Sequence, residues 1–336
     1  MKLVLCLLWW LLVFPCNAQV SDFSYINLKK ADSVARAYQG AKLSNLPQLS
    51  YQLTADLTTD VERFRALYMW VCQNIANDYR LYLKNDHKRQ RFKDDSLKLK
   101  AWNDTFKVEL FKKMQKRKRT ICTGYAYLVK TLADFADIPC EIVQGYGKTS
   151  TTDIDKLTLP NHTWNAVKLN NKWYLCDATW ASGTPNPETN LFQFNYNDGF
   201  FLTNPELFAI NHFPVEKKWL LLEDSSYNYE VFLENPILYN SAYLYLDKHL
   251  SPKKLLNKVK RHSQFTFEYT LLKPVDLRDV SLLIDNGTGS KTVRPELILK
   301  DKKLTLTHLF NHTGLYDVHF MIGAELISTY TIEVER

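Results

Sequence analysis

Apolar positions recur along this chain at helical spacing in some stretches and at strand spacing in others. After Cys122 they fall at Tyr125, Leu128, Val129, Leu132, Phe135 and Ala136, the three-and-four repeat of a helix with one buried face. Ile138-Pro139 ends it. Residues 59–76 predict a second helix, opened by Thr59 and Glu62 in a capping-box pattern and lined on one face by Val61, Phe64, Tyr68, Val71 and Ile75. Ala31 to Tyr38 predicts a short helix, and Pro47 breaks the stretch after it. Cys140 to Gly147, 162–169 and 172–179 read as strands. Asn170-Asn171 between the last two suits a two-residue hairpin turn, because Asn tolerates the left-handed backbone such turns need. If Leu169 faces Lys172, paired numbers sum to 341. His162, Trp164, Leu175, Asp177 and Thr179 then share one face, with His162 and Asp177 as diagonal neighbours. A slip of one residue would put Asp177 on the other face.

The pattern changes beyond residue 223. Pro236 and Pro252 punctuate the transition, and Pro252 to Arg261 predicts a basic helix. Strands follow at 264–272, 278–285, 303–309, 315–322 and 326–334, with turn signals at Asp285-Asn286-Gly287 and Gly323-Ala324. Short strands in regular succession predict a β-sandwich, and Gly314-Leu315-Tyr316-Asp317-Val318 resembles a sandwich's tyrosine corner. The fold class expected is α+β, a mixed domain followed by an Ig-like sandwich.

The first residues read as an address. Lys2 precedes an apolar run from Leu3 to Phe14, and Cys16-Asn17-Ala18 resembles a small-residue cleavage site. The run is shorter than the roughly 20 apolar residues of a membrane span. The expectation is an exported chain, periplasmic or extracellular, cut after Ala18. Four cysteines then remain: Cys72, Cys122, Cys140 and Cys176. If Cys122 is free, at most one disulfide is left, and three buried thiols is the blander reading. There is no C-x-x-C or H-x-x-x-H pair, no P-loop and no dinucleotide fingerprint, so no metal and no cofactor is expected.

The formal net charge is +7. Residues 84–119 hold fourteen Lys and Arg against five Asp and Glu, more than the whole excess. Such a segment is either a solvated face or a site for an anionic partner. Without a recognisable nucleic-acid module, nucleic acid is not expected.

The candidate chemistry lies between residues 117 and 180. Cys122 opens a helix, where free backbone N–H groups and the helix dipole favour a thiolate, and Arg117, Lys118 and Arg119 act the same way. A buried core thiol is the competing reading. Cys, His and Asp in this order suit a nucleophile, its base and the base's orienter. Trp164, Trp180 and Tyr125 are candidates for a substrate-binding pocket and equally for packing. Asn161-His162-Thr163 and Asn311-His312-Thr313 match glycosylation sequons by chance.

Arg119-x-x-Cys122-x-Gly124-Tyr125-Ala126, His162-x-Trp164-Asn165-x-Val167 and Trp173-Tyr174-x-x-Asp177-x-Thr179-Trp180 resemble, in order and setting, the transglutaminase-like superfamily of papain-fold cysteine enzymes. The helix from Asp60 to Trp70 resembles the same superfamily, and the block Phe201 to Phe208, followed by His212-Phe213-Pro214 and Trp219, is similar to its kyphoscoliosis peptidase branch. The resemblance covers roughly residues 55 to 222. It implies a catalytic domain over 19–222, and the strand pattern beyond it makes 223–336 a separate sandwich. It also implies Cys122 as nucleophile, His162 as base, Asp177 as orienter, and a peptide or protein substrate. An oxyanion hole needs two donors; the Cys122 N–H is one candidate, and Trp102 or Tyr79 the other. The resulting thioester would pass to water, in a peptidase or amidase, or to an amine, in a transglutaminase. A catalytically silent scaffold binding a protein or cell-wall partner is the rival reading from another class, and the tail from Trp173 to Trp180 favours the transglutaminase-like branch over a cell-wall amidopeptidase of another papain-like branch.

Overall fold

A computed structural model describes residues 19–186, 189 and 191–336. The proposed signal segment lies outside the described residues. Six helices precede the first long strand: α1 (Lys29–Ala37), α2 (Leu46–Thr54), α3 (Asp60–Asn74), α4 (Tyr79–Arg91), α5 (Ser96–Arg117) and α6 (Cys122–Asp134). Pro47 does not break the chain; it sits in the first turn of α2, where its missing N–H costs nothing. The Thr59–Glu62 capping box forms, with both reciprocal bonds present.

Helix α3 is buried all round rather than along one face: every residue from Phe64 to Cys72 is inside. That includes Arg65, whose guanidinium is held by Asp32 at 2.7 Å and by Asp198, as a buried charge must be. Helix α6 packs along the predicted line, except that Phe135, just past the helix end, is half exposed. Between these helices a two-residue parallel ladder joins β1 (Ala76–Asn77) to β2 (Arg119–Thr120).

The site rests on a four-stranded antiparallel sheet in the order β5-β4-β3-β8: β3 (Cys140–Gly147), β4 (His162–Leu169), β5 (Lys172–Cys176) and β8 (His212–Pro214). Leu169 pairs with Lys172 and Asn165 with Cys176, the register expected from the sequence. Both turn residues have positive φ, 48° at Asn170 and 63° at Asn171. The second strand is shorter than expected. It stops at Cys176, because Asp177 caps a short helix, α7 (Ala178–Ser182), through bonds from the Thr179 and Trp180 N–H groups. A small hairpin, β6 (Gly183–Pro185) with β7 (Phe192–Phe194), and helix α8 (Pro205–Asn211) lead to β8.

Two sheets follow. One runs β10-β12-β16-β15: β10 (Leu246–Ser251), β12 (Ser263–Leu271), β16 (Lys303–Phe310) and β15 (Glu296–Lys300). The other runs β11-β18-β17-β13-β14: β11 (Leu256–Lys260), β18 (Glu325–Glu335), β17 (Gly314–Ile322), β13 (Val280–Asp285) and β14 (Ser290–Val293). A short β9 (Ile237–Leu238) pairs with β18. Their inner faces bury Phe267, Tyr269, Leu304, Leu306, Val318, Phe320, Tyr330 and Ile332, the alternate positions of a sandwich. The expected basic helix at 252–261 is instead strand β11, paired in parallel with β18 from Leu256 to Lys260. Backbone pairing along a free sheet edge overrides the helical preference of a Lys-rich stretch. Tyr316 donates its hydroxyl to the His312 carbonyl at 3.2 Å, the bond of a tyrosine corner. Core residues of α3, α6 and both sandwich sheets belong to one connected cluster.

Candidate active site

Cys122 is the first residue of α6. The Ile121 before it is extended, at φ −113° and ψ 179°, and offers no side-chain cap. The Cys122 N–H sits where a helix provides no acceptor of its own. Behind it, the Thr120 side chain fills the space beside Gly124, where a Cβ would stand 1.8 Å from the Thr120 Oγ1. Only glycine fits there, so the first turn of α6 is seated directly on the strand that leads into it. Cys122 is 6% exposed and His162 7%.

His162 and Asp177 meet. The Nε2 atom of His162 lies 2.6 Å from Asp177 Oδ2, leaving Nδ1 as its remaining ring nitrogen. Burial of the His162 ring opposes its cationic form. The Asp177 carboxylate, aided by a hydrogen bond to the Cys122 side chain, more than offsets this and raises the imidazole to about 10. Burial likewise opposes the Asp177 charge, and the two histidines around it hold the carboxyl well below the usual range. Trp180 stacks on His162 with ring centroids 4.7 Å apart. Trp164 and Tyr125 are each 1% exposed, inside the core rather than on a cleft wall. The Tyr125 hydroxyl reaches the Ile75 carbonyl at 2.5 Å.

Of the two upstream donors suggested by the sequence, one is engaged elsewhere. The Trp102 Nε1–H is spent on Asn85 Oδ1 at 3.0 Å, and Tyr79 stacks on Tyr82 with centroids 6.0 Å apart. Burial, then the charge of Cys122, pushes the Tyr82 phenol above its ordinary range. Tyr82 packs with Leu81, Trp102, Phe106 and Leu110 around Ile121. Helix α4 bridges two segments of the site. At its start, the N–H of the capping Asp78 donates to the Thr120 carbonyl at 2.7 Å. Near its end, Arg89 donates to the Pro160 carbonyl at 2.7 Å.

Residues to which the sequence assigned no role complete the centre. His212, fully buried on β8, places Nε2 at 3.1 Å from Asp177 Oδ2 and Nδ1 at 3.1 Å from the Phe208 carbonyl. Burial holds its ring down at about 4, against the pull of Asp177. Gly147 pairs with His212 and Gly145 with His162, so the two imidazoles flank a strand that carries no side chain between them. A Cβ on Gly147 would stand 2.9 Å from His162 Cβ; one on Gly145 would stand 2.3 Å from the Phe213 carbonyl and 2.4 Å from Trp164. Two glycines at alternate positions of a strand signal such close approach. Asn161 closes the end of the ladder, accepting from the Gly147 N–H at 2.7 Å and donating to its carbonyl at 3.0 Å.

His162, Asp177 and His212 are residue types that bind metals, with facing atoms within 4.8 Å. Ligands at about 2.0 Å around tetrahedral zinc stand about 3.3 Å apart. The 2.6 Å pair is tighter, at the spacing of a shared proton. Among the described residues, Cys72, Cys122, Cys140 and Cys176 are free and buried. The basic segment forms α4 and α5, and α4 buries no residue. Where the segment meets β2, a half-open cavity of about 230 Å³ is lined by Arg80, Lys113, Arg117 and Arg119, with Asp78 already paired to Lys113 at 2.5 Å. No helix among the described residues is long and apolar enough to cross a membrane.

A sequence model of the transglutaminase-like superfamily matches residues 47–178. Human kyphoscoliosis peptidase is 33% identical over 195 residues, covering 56% of this chain and 26% of that protein. Hillarin from Drosophila melanogaster is 23% identical over 226 residues, covering 62% and 25%. The chain spans about a quarter of the length of these relatives. Among solved structures, the Lin-41 filamin domain is 19% identical, with a TM-score of 0.19, covering 24% of this chain and 83% of its own. Residues 47–178 thus form a transglutaminase-like domain, and the chain that carries it is related to the kyphoscoliosis peptidases.

Proposed function

We propose that the chain is a cysteine acyl-transfer enzyme acting on peptide or carboxamide bonds. The observation that carries this reading is the commitment of His162 Nε2 to a buried Asp177 at 2.6 Å, which leaves Nδ1 to the thiol at the start of α6. Cys122, as thiolate, attacks the carbonyl carbon. The carbonyl electrons move to oxygen, where the Cys122 N–H is placed to donate. Collapse expels the amine, which takes its proton from the His162 imidazolium, and a thioester remains. Water then gives a proton to His162 and attacks the thioester, releasing acid and regenerating the thiolate. Asp177 keeps the imidazole oriented and its cation stabilised, without taking the proton itself. Similarity to a human peptidase favours water over an amine as acceptor. The cavity lined by Arg80, Lys113, Arg117 and Arg119 favours acidic substrates. An exported location, resting on residues 1–18, belongs to the same proposal.

The test is the rate of Cys122 alkylation by iodoacetamide from about pH 5 to 9, in the native chain and in His162→Ala. The expected result is reaction persisting at about pH 5.5, where an ordinary thiol is protonated, and its loss in the variant. Equal, ordinary profiles in both proteins would overturn the proposal. They would favour the scaffold reading, for which the burial of Cys122 and His162 is the supporting observation.

A further inference from the structure

We infer that His212 is a positioning residue of this site, holding Asp177 in the one orientation that serves His162. The inference rests on the acyl-transfer reading and adds a fourth member to its machinery.

The proton inventory carries the argument. Both nitrogens of His212 face acceptors, Asp177 Oδ2 and the Phe208 carbonyl, each at 3.1 Å. A neutral imidazole has a single N–H. Its ring lies in an aromatic cage: Phe208 stacks on it with centroids 3.7 Å apart, Trp180 sits at 4.3 Å and Trp164 meets it edge-on at 5.1 Å. Full burial, with the imidazolium of His162 only 5.5 Å away between centroids, disfavours a second cation here. The one proton then has two possible places. On Nδ1 it would leave the Nε2 lone pair against an anionic oxygen. On Nε2 it makes a charge-assisted bond, about twice as strong as one to a neutral carbonyl. The Nε2–H form is therefore selected.

Asp177 then has every lone pair occupied. Oδ1 accepts from the Thr179 and Trp180 N–H groups at 2.8 and 3.2 Å, and Oδ2 accepts from His162 and His212. A carboxylate so held neither turns about its Cβ–Cγ bond nor takes the His162 proton. Without the His212 N–H, one buried oxygen is a donor short. Its proton affinity rises, and a protonated Asp177 offers an imidazolium nothing. The neighbours are consistent with a dedicated position. Gly147 leaves the space between the two rings, and the stacked Phe208 ring holds the imidazole face in place.

The experiment compares His212→Phe, His212→Gln and His162→Ala with the native chain, reading iodoacetamide alkylation of Cys122 at about pH 5.5 beside thermal unfolding. Phe preserves ring and cage but has no N–H. Gln restores a neutral donor and disturbs the cage. Positioning predicts that His212→Phe loses tenfold to a hundredfold of the native rate advantage over His162→Ala. It also predicts that His212→Gln stays within about threefold of native, although it unfolds at the lower temperature. A merely structural role predicts the reverse order of rates, following stability. Equal rates for His212→Phe and the native chain, with the advantage over His162→Ala intact, would overturn this inference alone. No advantage of the native chain over His162→Ala would overturn the acyl-transfer reading and, with it, this one. The downfield proton of the short His162–Asp177 bond gives a second readout: it should shift or vanish in His212→Phe and persist in His212→Gln.

Discussion

Gly147→Ala is the smallest perturbation that should separate reactivity from stability. The added Cβ would stand 2.9 Å from His162 Cβ, 3.1 Å from its Cγ and 3.2 Å from Trp180 Cζ2. Carbon atoms settle at about 3.5–4.0 Å, so His162 must retreat by roughly half an ångström. It cannot retreat freely, because Asp177 holds one side of the ring at 2.6 Å and Trp180 stacks on its face. Overpacking of this kind costs about 1–3 kcal/mol, a fall in melting temperature of about 2–6 °C. Reactivity should suffer more. A displacement of about 1 Å costs about a hundredfold, so half of that predicts roughly a tenfold loss of low-pH Cys122 alkylation. Gly289→Ala, with nothing within 4 Å of its added carbon, is the control and should change neither quantity. A Gly147→Ala protein that loses stability but alkylates at the native rate would refute the claim that this glycine sets the position of His162.

Three other outcomes are expected. Asp177→Asn should abolish alkylation at about pH 5.5, and it should remove the stability that His162 contributes. The folded value of His162 is raised, so that contribution is complete below about 6.5 and fades as pH climbs toward 10; denaturant midpoints of the native chain and variant across about pH 6–10 measure it. Lys148, buried and donating to the Phe232, Leu233 and Asn235 carbonyls, slopes the other way. Burial lowers it to about 7, so its stability contribution grows between about pH 7 and 10, and the difference between native and Lys148→Met midpoints should widen over that range. Arg65→Met strands Asp32 against the remaining core and should cost about 3–5 kcal/mol, seen as a fall in denaturant midpoint at unchanged slope; a loss under about 1 kcal/mol would show that the ion pairs contribute little.

Much of the centre was legible because local rules fix it. Two asparagines at positive φ set the hairpin register, which ends with Asn165 opposite Cys176, and His162 meets Asp177 just beyond that pair. Helical periodicity placed Cys122 at a helix start. His212 was not legible as a participant, since it reaches Asp177 from 35 residues downstream, through the pairing of a three-residue strand that carries no pattern of its own. Helix α3 was misjudged as one-sided, because a central helix buries even an arginine when two aspartates arrive from distant segments. At 256–260, Lys-rich composition suggested a helix where the open edge of β18 offered a ladder.

The helix that runs from beside Thr120 to the Pro160 carbonyl has a kinetic consequence. From Asp78 to Arg89 it spans about 17 Å, and it is fastened at either end by a few hydrogen bonds around one small apolar cluster. With Cys122 and His162 so little exposed, the expectation is that a reagent reaches them when this helix lifts. Labelling would then rise with reagent concentration only up to a ceiling, the rate at which the helix lets go. Variants that change the thiolate would lower the initial slope and leave the ceiling in place, whereas Arg89→Ala would raise the ceiling.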